Sequence, residues 1–273
     1  MLRRAQIAIG LLLPLSFAAP LAAQSPSSHA SDSGVMFSFQ NFADIFGGRL
    51  IAAFDSIPAA KYDYRPTPPQ QTVGYIAQHL EDANYDLCES FGDLKHRTTA
   101  KDSLADTVKA RWPKDTLVAR LKASLGFCDS VLDRVPSLDT PRRASLLLAF
   151  ETDLAEHYSQ ISSYMRLLGM VPPSALPPTR HSAINLPASA LSPYAGVYRL
   201  APGVQFEVTM GEGGLLIKSN IGGQAVRLLP ETKNDFFVNE VDAQLTFTHD
   251  ASGAVTGLVR HQFGRDRFAP KVR

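Results

Sequence analysis

An excess of charge of either sign is missing from this chain. Its 27 Lys and Arg stand against 26 Asp and Glu, a formal net charge of +1. No block of basic residues forms a phosphate-tracking stripe, so the sequence argues against nucleic-acid binding. Also missing are a Gly-x-Ser-x-Gly elbow, a Ser-x-x-Lys pair and a phosphate-cradling glycine loop, which removes three common catalytic machineries. Past the first two dozen residues no apolar run approaches membrane-spanning length. Cysteine is scarce, with only Cys88 and Cys128. What remains is 45% apolar and 19% charged over 273 residues, the composition of a folded soluble protein with one large domain or two ordinary ones.

The first residues, MLRRAQIAIGLLLPLSFAAPLAAQ, place Arg3 and Arg4 before an apolar run from Ile7 to Ala19 and small residues at Ala22 and Ala23. This is the pattern of a secretory signal peptide over 1–24, which predicts a periplasmic or secreted mature protein. Residues 25–34 (SPSSHASDSG) are small and polar and read as a flexible leader. In an oxidising compartment the two cysteines invite one disulfide, Cys88–Cys128; two separate buried thiols are the alternative.

Helical spacing then dominates over 35–170. Phe39, Phe42, Phe46, Leu50 and Phe54 mark a first helix, and the three prolines of Lys61–Gln71 an extended connection. Thr72 caps a second helix in which Ile76, His79, Leu80, Ala83 and Leu87 share a face. Phe91–Pro113 reads as a long exposed connection carrying His96. Leu117, Leu121, Leu125, Cys128 and Leu132 line a third helix. Asp139 or Thr140, with Pro141 at the first helical position, opens a fourth that ends at Gly169. Four such helices predict a bundle. Residues 171–190, with five prolines, read as a linker with His181 exposed. From 191 to 273 the chain breaks into seven short apolar stretches, with an eighth at RFAPK, separated by turn signals; this predicts an antiparallel meander closing into a barrel.

One stretch of the fourth helix asks for an explanation. Leu146, Phe150, Asp153, His157, Ile161, Tyr164 and Leu168 follow at steps of three or four, which turns a carboxylate and an imidazole inward. An inward carboxylate is costly unless something neutralises it, and a bound cation beside an imidazole is one solution. With His79 of the second helix, Asp153 and His157 make a two-imidazole, one-carboxylate set that suits a divalent first-row metal with open positions. A plain Asp–His hydrogen bond is the alternative. Glu156 and Tyr158 flank the set and are candidate proton carriers, or else ordinary surface residues.

At these residues the chain resembles a known family. YRPTPPQQTVGYIAQHL followed by EHYSQISSYMRLLGMVPP is similar to the DinB-like (DNA-damage-inducible) metalloenzyme superfamily, which includes bacillithiol and mycothiol S-transferases. The resemblance implies an up-down-down-up four-helix bundle holding a divalent metal, zinc or nickel foremost and iron or manganese next, on three histidines. His79 and His157 match two of them, and Asp153 stands where the third is expected. Tyr158, Gln160, Tyr164, Arg166 and Gly169 continue the match in a structural role. The strand region, with its Y-x-G-x-Y, Phe-Phe and F-x-x-D-x-x-G features, looks like the accessory β-domain of secreted β-lactamase-like serine peptidases, which implies a lipocalin-like barrel. The expected function is an exported metal-dependent hydrolase or thiol transferase acting on a small substrate, hydrolysis being favoured by the compartment; oligomers are compatible with it. The alternative is a non-catalytic exported binding protein whose barrel takes a peptide, glycan or apolar ligand.

Overall fold

The computed structural model describes residues 28–135 and 137–272, with side chains from residue 34 onward, so the signal-peptide expectation over 1–24 lies outside the described residues. Among the described residues six helices precede an eight-stranded antiparallel sheet. Four of the helices are long: α1 (Ser28–Ser56), α2 (Val73–Gly92), α4 (Lys114–Leu132) and α5 (Pro141–Leu167), with a single turn, α3 (Asp106–Lys109), before α4 and another, α6 (Ala188–Leu191), before the sheet. α1 starts at Ser28, inside the stretch expected to be a leader. Thr72 and Thr140 cap α2 and α5 by accepting from the backbone N–H of Tyr75 and Arg143, and Pro141 fills the first turn of α5, where a missing N–H costs nothing. Gly169 ends α5 with φ +74°, a conformation that favours glycine.

α1 and α2 each pack against α4 and α5, burying one continuous apolar core. Cys88 of α2 and Cys128 of α4 form a disulfide across it. The face read for α4, Leu117, Leu121, Leu125, Cys128 and Leu132, is buried throughout, whereas that of α1 is rotated: its core line runs through Met36, Ala43, Leu50 and Phe54, and Phe42 is exposed and stacks on Phe46. The reason is that α1 has a second working face, Phe37, Asn41, Asp44 and Gly48, turned to the sheet.

The strands are β1 (Gly196–Ala201), β2 (Val204–Gly211), β3 (Gly214–Ser219), β4 (Gly222–Pro230), β5 (Asp235–Val238), β6 (Ala243–His249), β7 (Val255–Gln262) and β8 (Arg265–Pro270). Each pairs with its neighbours in sequence, and the Tyr198–Lys271 bridge brings the end of β8 back to β1, so the sheet is barrel-like and nearly closed. Closure removes the exposed edges that an open meander would present. The Pro-rich segment is tied down: Ile184 N–H donates to the Pro230 carbonyl, and His181, expected to be exposed, is largely buried against Phe237 and bonded to Glu231. His96 is likewise sheltered, stacked on Tyr85 with Nδ1 on Glu89. No helix among the described residues is long and apolar enough to cross a membrane.

Asp44, fully buried on α1, joins the two halves. Arg267 of β8 donates to its two oxygens at 2.7 and 2.9 Å, and Arg267 and Arg265 also pair with Asp133 and Asp129 of the α4 end. Replacing Asp44 by Ala leaves buried arginine without its counter-charge and is expected to cost about 3 to 5 kcal/mol, read as a lower urea midpoint. Asp55→Ala, which removes an exposed pair with Lys122, is expected to cost less than about 1 kcal/mol. Joint replacement of Cys88 and Cys128 by serine is expected to remove about 4 kcal/mol from the helical half on the chain-entropy estimate, measured by far-ultraviolet circular dichroism during denaturation.

Candidate metal centre

The structure brings together the three residues that spacing singled out. His79 on α2 and Asp153 and His157 on α5 turn one ligand atom each to a common point, all within 4.8 Å of one another. Asp153 Oδ1 lies 3.6 Å from His79 Nε2 and 3.4 Å from His157 Nε2, and the two imidazoles meet edge to face. Two donors bound to one ion at about 2.0 to 2.1 Å in tetrahedral geometry stand about 3.3 Å apart. Two of the spacings are near that value and the third is within 4.8 Å, so the three residues could hold one ion. His157 is buried, Asp153 partly so, and the His79 side chain is 37% exposed, which leaves one side of the point open to solvent.

Proton positions sharpen this. Tyr164 OH donates to the Gln71 carbonyl at 3.1 Å and therefore accepts from Gln160 Nε2 at 3.2 Å. That fixes the Gln160 amide with its oxygen toward His157 Nδ1, 3.0 Å away, so Nδ1 carries a hydrogen. In the neutral imidazole Nε2 is then a lone pair facing the Asp153 carboxylate. Two acceptors confront each other, and only a proton or a cation reconciles them. Asp153 Oδ2 is meanwhile buried without a hydrogen-bond partner among the described residues. Gln160, matched in sequence as structural, is in effect the residue that aims the imidazole, a positioning typical of metal-bound histidine.

The electrostatics of the metal-free site follow from the same contacts. Burial raises the Asp153 carboxyl, but the neighbouring His157 and His79 imidazoles outweigh that and hold it down at about 2. Burial likewise works against a charged His157, and Asp153 and Gln160 overcome it, raising the imidazole above its ordinary value. Asp153 therefore contributes stability above the unfolded carboxyl range that is lost as pH falls toward about 2. His157 contributes stability at low pH that is lost as pH rises through its raised value.

Other candidates fall elsewhere. Glu156 is exposed beside the set. Tyr158 is not on the surface: its ring packs on Phe46 and its hydroxyl accepts from Ser174 N–H, which ties the start of the Pro-rich segment to α5. Glu151, which spacing did not single out, is buried with both oxygens unpartnered among the described residues, and burial, then the Asp44 charge, push its carboxyl up to about 8. The buried face of α5 takes in Phe150, His157, Ile161 and Tyr164 of the Asp153 stripe and also a second line, Leu147, Glu151, Leu154, Tyr158 and Met165, and that second line is the signal that finds both residues. On the sheet, His261 is satisfied by Asp266 and Thr246.

Residues 180–269 match DUF3471, a domain of unknown function. The match takes in the barrel-like sheet and the end of the Pro-rich segment and leaves the helical half uncovered. No curated protein matches the chain.

In chelator-treated protein the His157 imidazole is expected to titrate above the ordinary histidine value. Asp153→Asn is expected to lower it, because only Gln160 and Glu156 then oppose burial. Carbon-detected NMR titration of the histidine rings reads both.

Proposed function

We propose that this chain is an exported divalent-metal protein of the DinB-like kind, whose four long helices form the up-down-down-up bundle of that superfamily and whose metal centre hydrolyses a small substrate. The observation that carries the reading is the confrontation of His157 Nε2 with Asp153 Oδ1, together with His79 Nε2 turned to the same oxygen. A proton on His157 makes that contact a plain ion pair, so the presence of the third residue, His79, is what favours a metal. Export is supported by the pattern of residues 1–24 and by the Cys88–Cys128 disulfide, which suits an oxidising compartment.

His79, Asp153 and His157 would hold the ion, and one carboxylate with two imidazoles suits zinc or nickel and also the harder iron and manganese. Such an ion, with positions left open, supplies Lewis acidity and an acidified bound water. The protein's own part is to fix the ligands. Gln160 holds His157 in one tautomer, Asp153 supplies the single negative charge, and the exposed side of His79 admits substrate. Glu156, exposed and adjacent in sequence to His157, is the proton carrier within reach of solvent.

Elemental analysis of mature protein purified without chelator is expected to find about one equivalent of a transition metal per chain. The His79→Ala/His157→Ala variant is expected to hold none. Gln160→Leu is expected to fold normally and bind the metal about ten- to a hundredfold more weakly, measured by competition with a chromogenic chelator. Metal-free parent protein, or a Gln160→Leu variant of parental affinity, contradicts the reading.

A further inference from the structure

The sheet holds a polar group that the helical site does not explain. Arg260 lies on β7, paired across the sheet with Leu245 of β6 and Arg267 of β8, and its side chain is 8% exposed. Its nearest counter-charge is Asp44, but both Asp44 oxygens are occupied by Arg267, which leaves Arg260 Nη2 at 3.7 Å. Nη1 reaches Asn41 Oδ1 only at 3.5 Å, and the guanidinium otherwise lies near the Phe37 ring. Nε and Nη2 are buried with no hydrogen-bond partner among the described residues. A guanidinium left in this state is under-satisfied, and such groups call for a ligand or a water.

Arg260 also lines a cavity. Phe206, Ile217, Val226, Val238 and Leu245, from five different strands, supply its apolar walls, and its volume is about 240 Å³. We propose that this cavity binds a small apolar monocarboxylate, its hydrocarbon body against these side chains and its carboxylate on Arg260. The planar fork of arginine matches a carboxylate, and one charge suits an arginine whose field is already shared with Asp44; a dianion would meet that aspartate as well. At roughly 30 Å³ for a water-sized group, the space takes about eight non-hydrogen atoms, so a medium-chain fatty acid fills it with the end of its chain at the open mouth. The site is separate from the metal centre and stands whether or not a metal is bound there.

The test is calorimetric titration of the full mature chain with octanoate and with 1-octanol, in the presence of chelator so that no carboxylate is held by metal. Octanoate is expected to bind saturably, and 1-octanol about tenfold or more weakly, because only the acid satisfies Arg260. Arg260→Gln is expected to weaken octanoate to the level of the alcohol. Val226→Trp, which fills the cavity and leaves Arg260 in place, is expected to abolish binding of both at an unchanged melting temperature, and it decides the matter if Arg260→Gln fails to fold. Absence of saturable octanoate binding, equal affinity for acid and alcohol, or unaltered binding by Val226→Trp overturns the proposal.

Discussion

Asp44 is a carboxylate with no exposure to solvent, and the arrangement of the two halves depends on how it is satisfied. Burial of a lone charge costs more than a fold of this size can spare, so its partners are obligatory. They come from the sheet: the fork of Arg267 takes both oxygens, with Arg260 and Arg265 farther out. A two-pronged contact fixes direction as well as distance, so α1 is oriented on the end of the sheet as well as attached to it. One turn along, a Cβ on Gly48 would stand 2.1 Å from the Phe263 carbonyl oxygen, so that approach requires glycine. Since α1 also packs on α4 and α5, the same helix carries the position of the sheet into the helical core.

Within that core the proposed metal site is built by a different device. α2 and α4 are joined by the disulfide, and α5 lies against α2 with its imidazole and carboxylate one turn apart. The spacing puts the groups on one side of the helix, but it is the run from Gln71 through Tyr164 and Gln160 to His157 that decides which nitrogen faces Asp153. The resulting clash of acceptors is stable only with a positive charge between them. A proton on His157 supplies that charge, and a bound metal ion would supply it equally.

Much of this was legible from residues. Turn chemistry marked the eight strands closely, because each is short, apolar and bounded by Gly, Pro or Asp. Thr72, Thr140, Pro141 and Gly169 marked helix ends, since caps act locally. His79, Asp153 and His157 were found because polar residues broke an apolar stripe. What local pattern could not supply was the second face of α1: Asp44 and Gly48 look like ordinary helix positions until Arg267 and Phe263, more than two hundred residues later, meet them. His181 was hidden for the same reason, its burial being set by Phe237 and Glu231, distant in sequence. The role of Gln160 depends on a tyrosine and a carbonyl from two other segments of chain.

The most direct test of the metal centre is anomalous diffraction from crystals of the protein grown with zinc or nickel, with data collected on either side of the metal's absorption edge. The account predicts one strong anomalous peak in coordination contact with His79 Nε2, a carboxylate oxygen of Asp153 and His157 Nε2, with His157 Nδ1 still on Gln160. A clean map at that point, with Asp153 and His157 joined by a direct hydrogen bond and His79 turned away, would contradict it.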